Sequence, residues 1–280
     1  EVVFGDWSSD VCSSDLTATP TDWDIFARLA AAENWRISPA ERQLFRGPWA
    51  GHALALKVEG QWGGFVTAVH HQRSGWIGNL IVPPKSRGRG YGRRLFAAAV
   101  ARLERKRLNS LWLTASEQGR PLYEQYGFVK IDEIERWIGV GVGGDEDALR
   151  NNEGLWLADG RAWGETRREL LMAVAGHGRA FTAGDAVIFL QQVGNMNILG
   201  PWYRGESAPC VHRDLLQQAL AAATPGQELV VDTLISSPLR PLLAEVGFTP
   251  NGRTALMVRG GPGAARLERM VALASLGSVG

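Results

Sequence analysis

The apolar residues fall into short patterned runs, and the spacing inside each run assigns an element. Ile25, Leu29 and Ala32 share one face of a helix that Thr21 or Asp22 caps and that ends near Asn34. Ser38, Pro39 and Glu41 have the order of a capping box, which predicts a second short helix from Ser38. Residues 52–59 and 63–70 read as two strands joined by a tight turn over 60–62, a hairpin. Residues 76–82 form a third strand, stopped by Pro83 and Pro84. A glycine- and arginine-rich stretch over 85–92 follows. Leu95, Phe96, Ala99, Val100 and Leu103 then form the apolar stripe of a helix over 93–107. A strand over 111–114, a short helix over 119–126 and a strand from Phe128 to Ile134 complete a strand–loop–helix–strand order, which implies a mixed sheet with helical cover.

Residues 139–152, GVGVGG followed by acidic residues, read as a linker. The second half repeats the rhythm. Helices are expected over 165–175, 212–223 and 238–246, and strands over 179–182, 185–192, 196–200, 228–232 and 255–258. Tyr123-Glu124-Gln125-Tyr126-Gly127-Phe128 parallels Leu243-Ala244-Glu245-Val246-Gly247-Phe248 at the same place in that order, which points to internal duplication. The tail over 261–280 is expected to form one helix through 264–274 and to end in a flexible-looking GSVG. The divisions that follow are a leader over 1–16, non-native or disordered, then 17–138, a linker over 139–152, then 153–262, and a C-terminal helix or tail over 263–280.

Composition narrows the function classes. The chain has 280 residues, 45% apolar and 21% charged, with a formal net charge of +1. This is an ordinary globular balance and argues for neither a nucleic-acid nor a membrane partner. Cys12 and Cys210 are too few and too far apart for a disulfide framework or a zinc site, and no apolar run reaches membrane-spanning length. A reduced, cytoplasmic protein without a metal, monomer or homodimer, is the expectation.

The loop Arg87-Gly88-Arg89-Gly90-Tyr91-Gly92, followed by Arg93, is the feature with chemistry in it. It leaves a strand and opens a helix. Glycines let the main chain approach a ligand, the first helical N–H groups have no partner within the helix, and the helix dipole favours an anion. Arg87, Arg89 and Arg93 add charge-assisted donors for phosphate oxygens. The loop lacks the Gly-Lys-Ser/Thr ending of a Walker loop, and its glycines are not spaced for a dinucleotide fold.

Arg87, Gly90 and Gly92 fit the Arg/Gln-x-x-Gly-x-Gly/Ala signature, and residues 119–128 fit the later helix-and-strand motif, of the GCN5-related N-acetyltransferase (GNAT) superfamily, which the chain therefore resembles from about Asp22 to Ile134. The second half resembles, more distantly, the extra C-terminal domain of one subgroup. The resemblance implies an α/β fold (an α+β mixed sheet) of tandem domains, each a twisted, mostly antiparallel sheet flanked by helices. It implies an acetyl-CoA cofactor in a split between the strand ending at Val82 and the strand at Leu111. Leu80, Ile81 and Val82 would pair with the pantetheine arm, and Arg87, Gly88, Arg89, Gly90, Tyr91, Gly92 and Arg93 would hold the pyrophosphate. Tyr123 matches the proton donor to the leaving thiolate. A primary amine on a small molecule, such as an amino acid, a polyamine or an aminoglycoside-like antibiotic, would attack directly. Glu33, His70, His71 and Asp232 are candidates for the base. Trp202, Tyr203, Asp232 and Thr233 are candidates for the acceptor pocket. No second cradle precedes the helix at His212, and Leu243 stands at the tyrosine position, so one working cofactor site is expected. The alternative is a CoA-binding sensor or scaffold without turnover.

Overall fold

The computed structural model describes residues 17–144 and 152–280. The expected leader, Cys12 with it, and the acidic part of the expected linker lie outside the described residues.

Helices α1 (Pro20–Ala32) and α2 (Pro39–Arg46) open the chain. Thr19, rather than Thr21 or Asp22, caps α1, in a reciprocal box with Asp22. Strands β1 (Ala53–Val58), β2 (Gln61–His70) and β3 (Ser74–Ile81) form an antiparallel meander. Helix α3 (Tyr91–Glu104), strand β4 (Ser110–Ala115), helix α4 (Arg120–Glu124) and strand β5 (Val129–Val140) follow. The second half comprises α5 (Glu153–Trp163), α6 (Arg168–Gly176), β6 (Gly178–Ala183), β7 (Ala186–Val193), β8 (Met196–Tyr203), α7 (Pro209–Ala222), β9 (Glu228–Leu234), α8 (Pro241–Glu245), β10 (Thr249–Arg259) and β11 (Met270–Ala272).

The eleven strands among the described residues join one mostly antiparallel sheet in the order β1-β2-β3-β4-β10-β5-β9-β11-β8-β7-β6. The centre is an exchange between the halves: β10 pairs with β4, β5 pairs with β9, and the two exchanged strands pair with each other. This exchange extends β5 to Val140, so the start of the expected linker is strand. A helix, α5, begins at Glu153, where no helix was expected before residue 165.

Side chains alternate across the sheet and split the core by face. Ile77, Leu111 and Leu113 pack with Leu95, Phe96 and Ala99 under α3. On the opposite face Trp76, Trp112, Phe65 and Val69 join residues of α1, α2, α5 and α6 in a cluster that crosses both halves. A third cluster lies under α7 and α8.

The tail corrects an expectation. Residues 264–274 do not form a helix; a short 3-10 turn (Leu267–Arg269) leads into β11. Every residue from Met270 to Ser275 is buried. A run apolar on all sides has no face to reveal its period, so a buried strand and a buried helix look alike in sequence.

Candidate active site

The site begins where β3 and β4 part. These parallel strands pair only at Ser74–Ser110, Gly75–Leu111 and Trp76–Trp112. Beyond Trp76 the sheet is split. Near the open end β3 carries a bulge: Phe65 faces Ile81 and Thr67 faces Gly78, so Val66 stands opposite two residues, Asn79 and Leu80. Asn79 sits at φ 55°. A bulge removes main-chain groups from the ladder and re-aims them, as happens often beside active sites. Here the affected stretch includes Leu80 and Ile81, with Val82 next in line.

Past the bulge the chain turns through Pro83 and Pro84 into the glycine–arginine loop. Gly88 and Gly90 both have φ 76°, and a Cβ at either would meet nothing within 4 Å. These glycines serve the backbone turn, and their outer side is open. Gly90 is the N-cap of α3 without a side-chain cap. The first-turn N–H groups of this 14-residue helix are therefore free for an anion. Arg87 donates through Nε to the Val82 carbonyl, 3.1 Å, and pairs with Glu33 at the end of α1. Arg93 donates to Gln125 Oε1 at 2.6 Å, tying α3 to the segment after α4. The loop thus has open glycines, free N–H groups and adjacent guanidinium groups, an arrangement that can hold a phosphate anion.

Tyr123 lies on α4 and packs its ring on Phe96 of α3, centroids 4.7 Å apart. Gly119 makes room for it, since a Cβ there would stand 3.1 Å from the ring. Burial pushes the phenol up to about 12, so it stays protonated at neutral pH.

The face of the split opposite α3 is lined by a segment distant in sequence. Trp76 Nε1 and Thr114 Oγ1 both donate to the Gly277 carbonyl, at 3.2 and 2.9 Å. The Ser278 carbonyl lies directly over Gly78. Glu41, buried on the first turn of α2, accepts from Asn79 Nδ2 at 2.7 Å and lies beside Ser278, whose buried hydroxyl has no hydrogen-bond partner among the described residues. Its backbone N–H is capped by Ser38 Oγ, 3.0 Å, but its carboxylate turns into the protein. The capping-box pattern in the sequence located this acid and hid its second contact.

The other candidates are spread out. Glu33 is at the cradle, on Arg87. His70 is at the far end of β2 with its ring 5.1 Å from His52. His71 is buried near Trp49 and Val279, and burial together with the Arg167 charge lowers it to about 3. Trp202, Tyr203, Asp232 and Thr233 lie in the second half around β11. Trp202 Nε1 donates to His212 Nδ1 at 3.1 Å, and Thr233 Oγ1 donates to the Glu135 carbonyl at 3.2 Å. Asp232 makes a two-pronged pair with Arg136, both contacts 2.7 Å. Tyr203 joins the buried pair of Asp159 and Arg167.

The second half contains a matching gap. Parallel β8 and β9 pair only at Asn197–Leu229 and Ile198–Val230 before they part. There β11 fills the opening, pairing with Tyr203 and Trp202 on one side and Thr233 on the other. No helix among the described residues is long and apolar enough to cross a membrane.

Residues 30–140 match the family described as acetyltransferase (GNAT) domain. The holothin acyltransferase of Pseudoalteromonas sp. is 25% identical over 92% of this chain and 92% of its own length. The ribosomal protein bS18 alanine N-acetyltransferase of Haemophilus influenzae is 26% identical over 45% of this chain and 94% of its own length. A crystal structure from Pyrococcus horikoshii shares the fold, with a TM-score of 0.78, 18% identity and 94% of both chains covered. A GCN5-related N-acetyltransferase from Sphaerobacter thermophilus has a TM-score of 0.62 at 15% identity, over 87% of this chain and 94% of that one. The GNAT match thus lies within the first half of the chain, and the two solved structures share the fold over 94% and 87% of it.

Proposed function

We propose that the chain is an acetyl-CoA-dependent N-acetyltransferase acting on a primary amine of a small molecule, with one working cofactor site in two related, GNAT-like halves. The observation that carries this reading is the contrast between the two gaps. The β3/β4 split is open and leads to the uncapped start of α3, whereas the β8/β9 gap is filled by β11. A polypeptide strand pairing inside the second gap also supports the reading of the first, because pantetheine is itself an extended chain of amides.

Bound acetyl-CoA would supply an activated acetyl thioester. The N–H groups of Tyr91, Gly92 and Arg93, with Arg87 and Arg89, would hold the pyrophosphate. The backbone from the bulge at Leu80 through Ile81 to Val82 would pair with the arm and polarise the thioester carbonyl. The face opposite α3 would admit the amine, which would take the acetyl group by direct attack. Tyr123, held protonated, would donate to the leaving thiolate sulfur. The acyltransferase that matches over nearly its full length supports a role for the two-half arrangement as a whole, and not for the first half alone.

Calorimetric titration with acetyl-CoA, followed by thiol release across a panel of amines, tests the reading. One-to-one binding with amine-dependent release is expected. Binding without release from any amine would favour a CoA sensor, and no binding would remove both readings.

A further inference from the structure

The buried acids of this protein share a rule that one of them breaks. Asp22 pairs with Lys57, Glu135 with Arg240 and Arg253, Asp159 with Arg167, and Asp232 with Arg136. Glu165 takes the main-chain N–H groups of Arg73 and Ser74. Glu41, only 5% exposed, has neither a cation nor a main-chain donor on its carboxylate among the described residues. Its one hydrogen-bond partner among the described residues is the Asn79 amide, and the Ser278 hydroxyl beside it is buried without a partner. A carboxylate taken out of water without a cation is costly, and proteins normally pair it or keep it protonated.

The position of this carboxylate gives the imbalance a use. Asn79 is the bulge residue of β3, two positions before Ile81. Glu41 therefore stands at the split, on the face opposite α3, beside the backbone that the proposed reaction uses. Leu276 and Gly277, next to Ser278 in the chain, are partly exposed.

We propose that Glu41 is the amine subsite: its carboxylate binds the acceptor as an alkylammonium ion and then takes one proton from that nitrogen. The inference rests on the acyltransferase reading and adds to it a substrate class, a primary amine that arrives protonated. The step is a proton transfer. One N–H bond breaks, its electron pair stays on nitrogen as the nucleophilic lone pair, one O–H bond forms on Glu41, and the proton then passes to solvent. Asn79 Nδ2 holds one side of the carboxylate throughout, while the ammonium takes over the position of the Ser278 hydroxyl. Burial raises the Glu41 carboxyl above the ordinary carboxylate range, which makes it a stronger base than an exposed glutamate. Asn79 and Ser278 are the groups that face it, and no charged group among the described residues acts on it.

The test uses the full chain, with butylammonium chloride as the ligand probe and Glu41→Gln as the variant. Acetyl-CoA titration of both proteins comes first. Failure of the wild type to bind would sink the acyltransferase reading, whereas equal binding by both isolates the question to Glu41. Thermal melts at pH 8 with and without butylammonium then decide. The wild type should be stabilised by the probe, and Glu41→Gln should bind it at least tenfold more weakly. Glu41→Gln should also melt higher than the wild type without ligand, because it removes a buried charge that lacks a cation. A purely structural carboxylate would give a lower melting temperature instead. The same probe response in both proteins, including none in either, or a lower melting temperature for Glu41→Gln, would overturn the assignment.

Discussion

Ser278 lays its main-chain carbonyl against Gly78, so closely that a β-carbon on Gly78 would collide with it. The second half repeats the contact, with the Leu273 carbonyl against Gly200 of β8. One terminal segment thus touches both diverging strands at glycines, first as a strand in the second gap and then as a wall beside the first. Gly78→Ala should push residues 277–279 away from β3 and loosen the Gly277 contacts to Trp76 and Thr114. The overpacking should cost about 1–3 kcal/mol, a fall of several degrees in melting temperature for a chain of this size. Amine turnover should fall further than acetyl-CoA affinity, because the segment lies on the acceptor face. Scanning calorimetry and a thiol-release assay check the two parts, and an unchanged melting temperature would show that the contact is not close.

At the cradle, Gly90 is left-handed at φ 76° and faces open space. Alanine there meets no neighbour, so the cost is conformational, about 1 kcal/mol. The start of α3 would relax away from its N–H fan. Gly90→Ala should weaken CoA binding by about tenfold, equivalent to about 1.4 kcal/mol, with a small change in melting temperature. Calorimetric titration measures this directly. Full affinity in the variant would remove the loop from the pyrophosphate site.

Much of the first half was legible because its signals are local. The residue 87–92 loop, the α3 stripe and the hairpin depend on neighbours within a few positions, and each formed as expected. The exchange of β5 and β10 was not legible, since each strand pairs with partners from the other half and either arrangement satisfies the same alternation. Glu41 was visible only as a helix-capping acid. Its inward carboxylate is held by Asn79 and lies beside Ser278, 38 and 237 positions away, and no local pattern encodes such a meeting. The β11 tail was misread because a strand buried on both faces has no polar side.

Asp232 was a candidate for holding an acceptor, yet its two oxygens are taken by Arg136, and its own carbonyl accepts from Leu273 N–H at 3.0 Å. Asp232 is almost fully buried and Arg136 is about one-quarter exposed. Asp232→Asn leaves a largely buried guanidinium without its counter-charge, which should cost roughly 2–4 kcal/mol after allowance for that exposure. If Asp232 anchors the strand exchange, stability falls while the KM for the amine stays within about twofold. A large rise in that KM with unchanged stability would return Asp232 to the acceptor pocket. Denaturant melts and steady-state kinetics on the same preparation separate these outcomes.

Tyr123 offers a pH test as well as a mutational one. Its phenol is pushed up to about 12 by burial against α3, so it stays protonated across the working range. The proposed donor therefore adds no alkaline limb to the rate below about pH 10, the ordinary tyrosine value. Its effect on stability has a definite sign. The folded pKa is raised above the unfolded one, so the contribution is fully present below about pH 10 and is lost as the pH climbs towards 12. Tyr123→Phe keeps the ring on Phe96 and removes only the hydroxyl. It should lower kcat by about 10²-fold, a usual size for a lost acid catalyst, with acetyl-CoA affinity nearly unchanged. It should also flatten the loss of stability above pH 10. Initial rates from pH 6 to 10 and thermal melts from pH 8 to 11 supply both readings. An alkaline limb near pH 8 that disappears in Tyr123→Phe would show a phenol that ionises at ordinary pH, and turnover at the wild-type rate would take the hydroxyl out of the reaction.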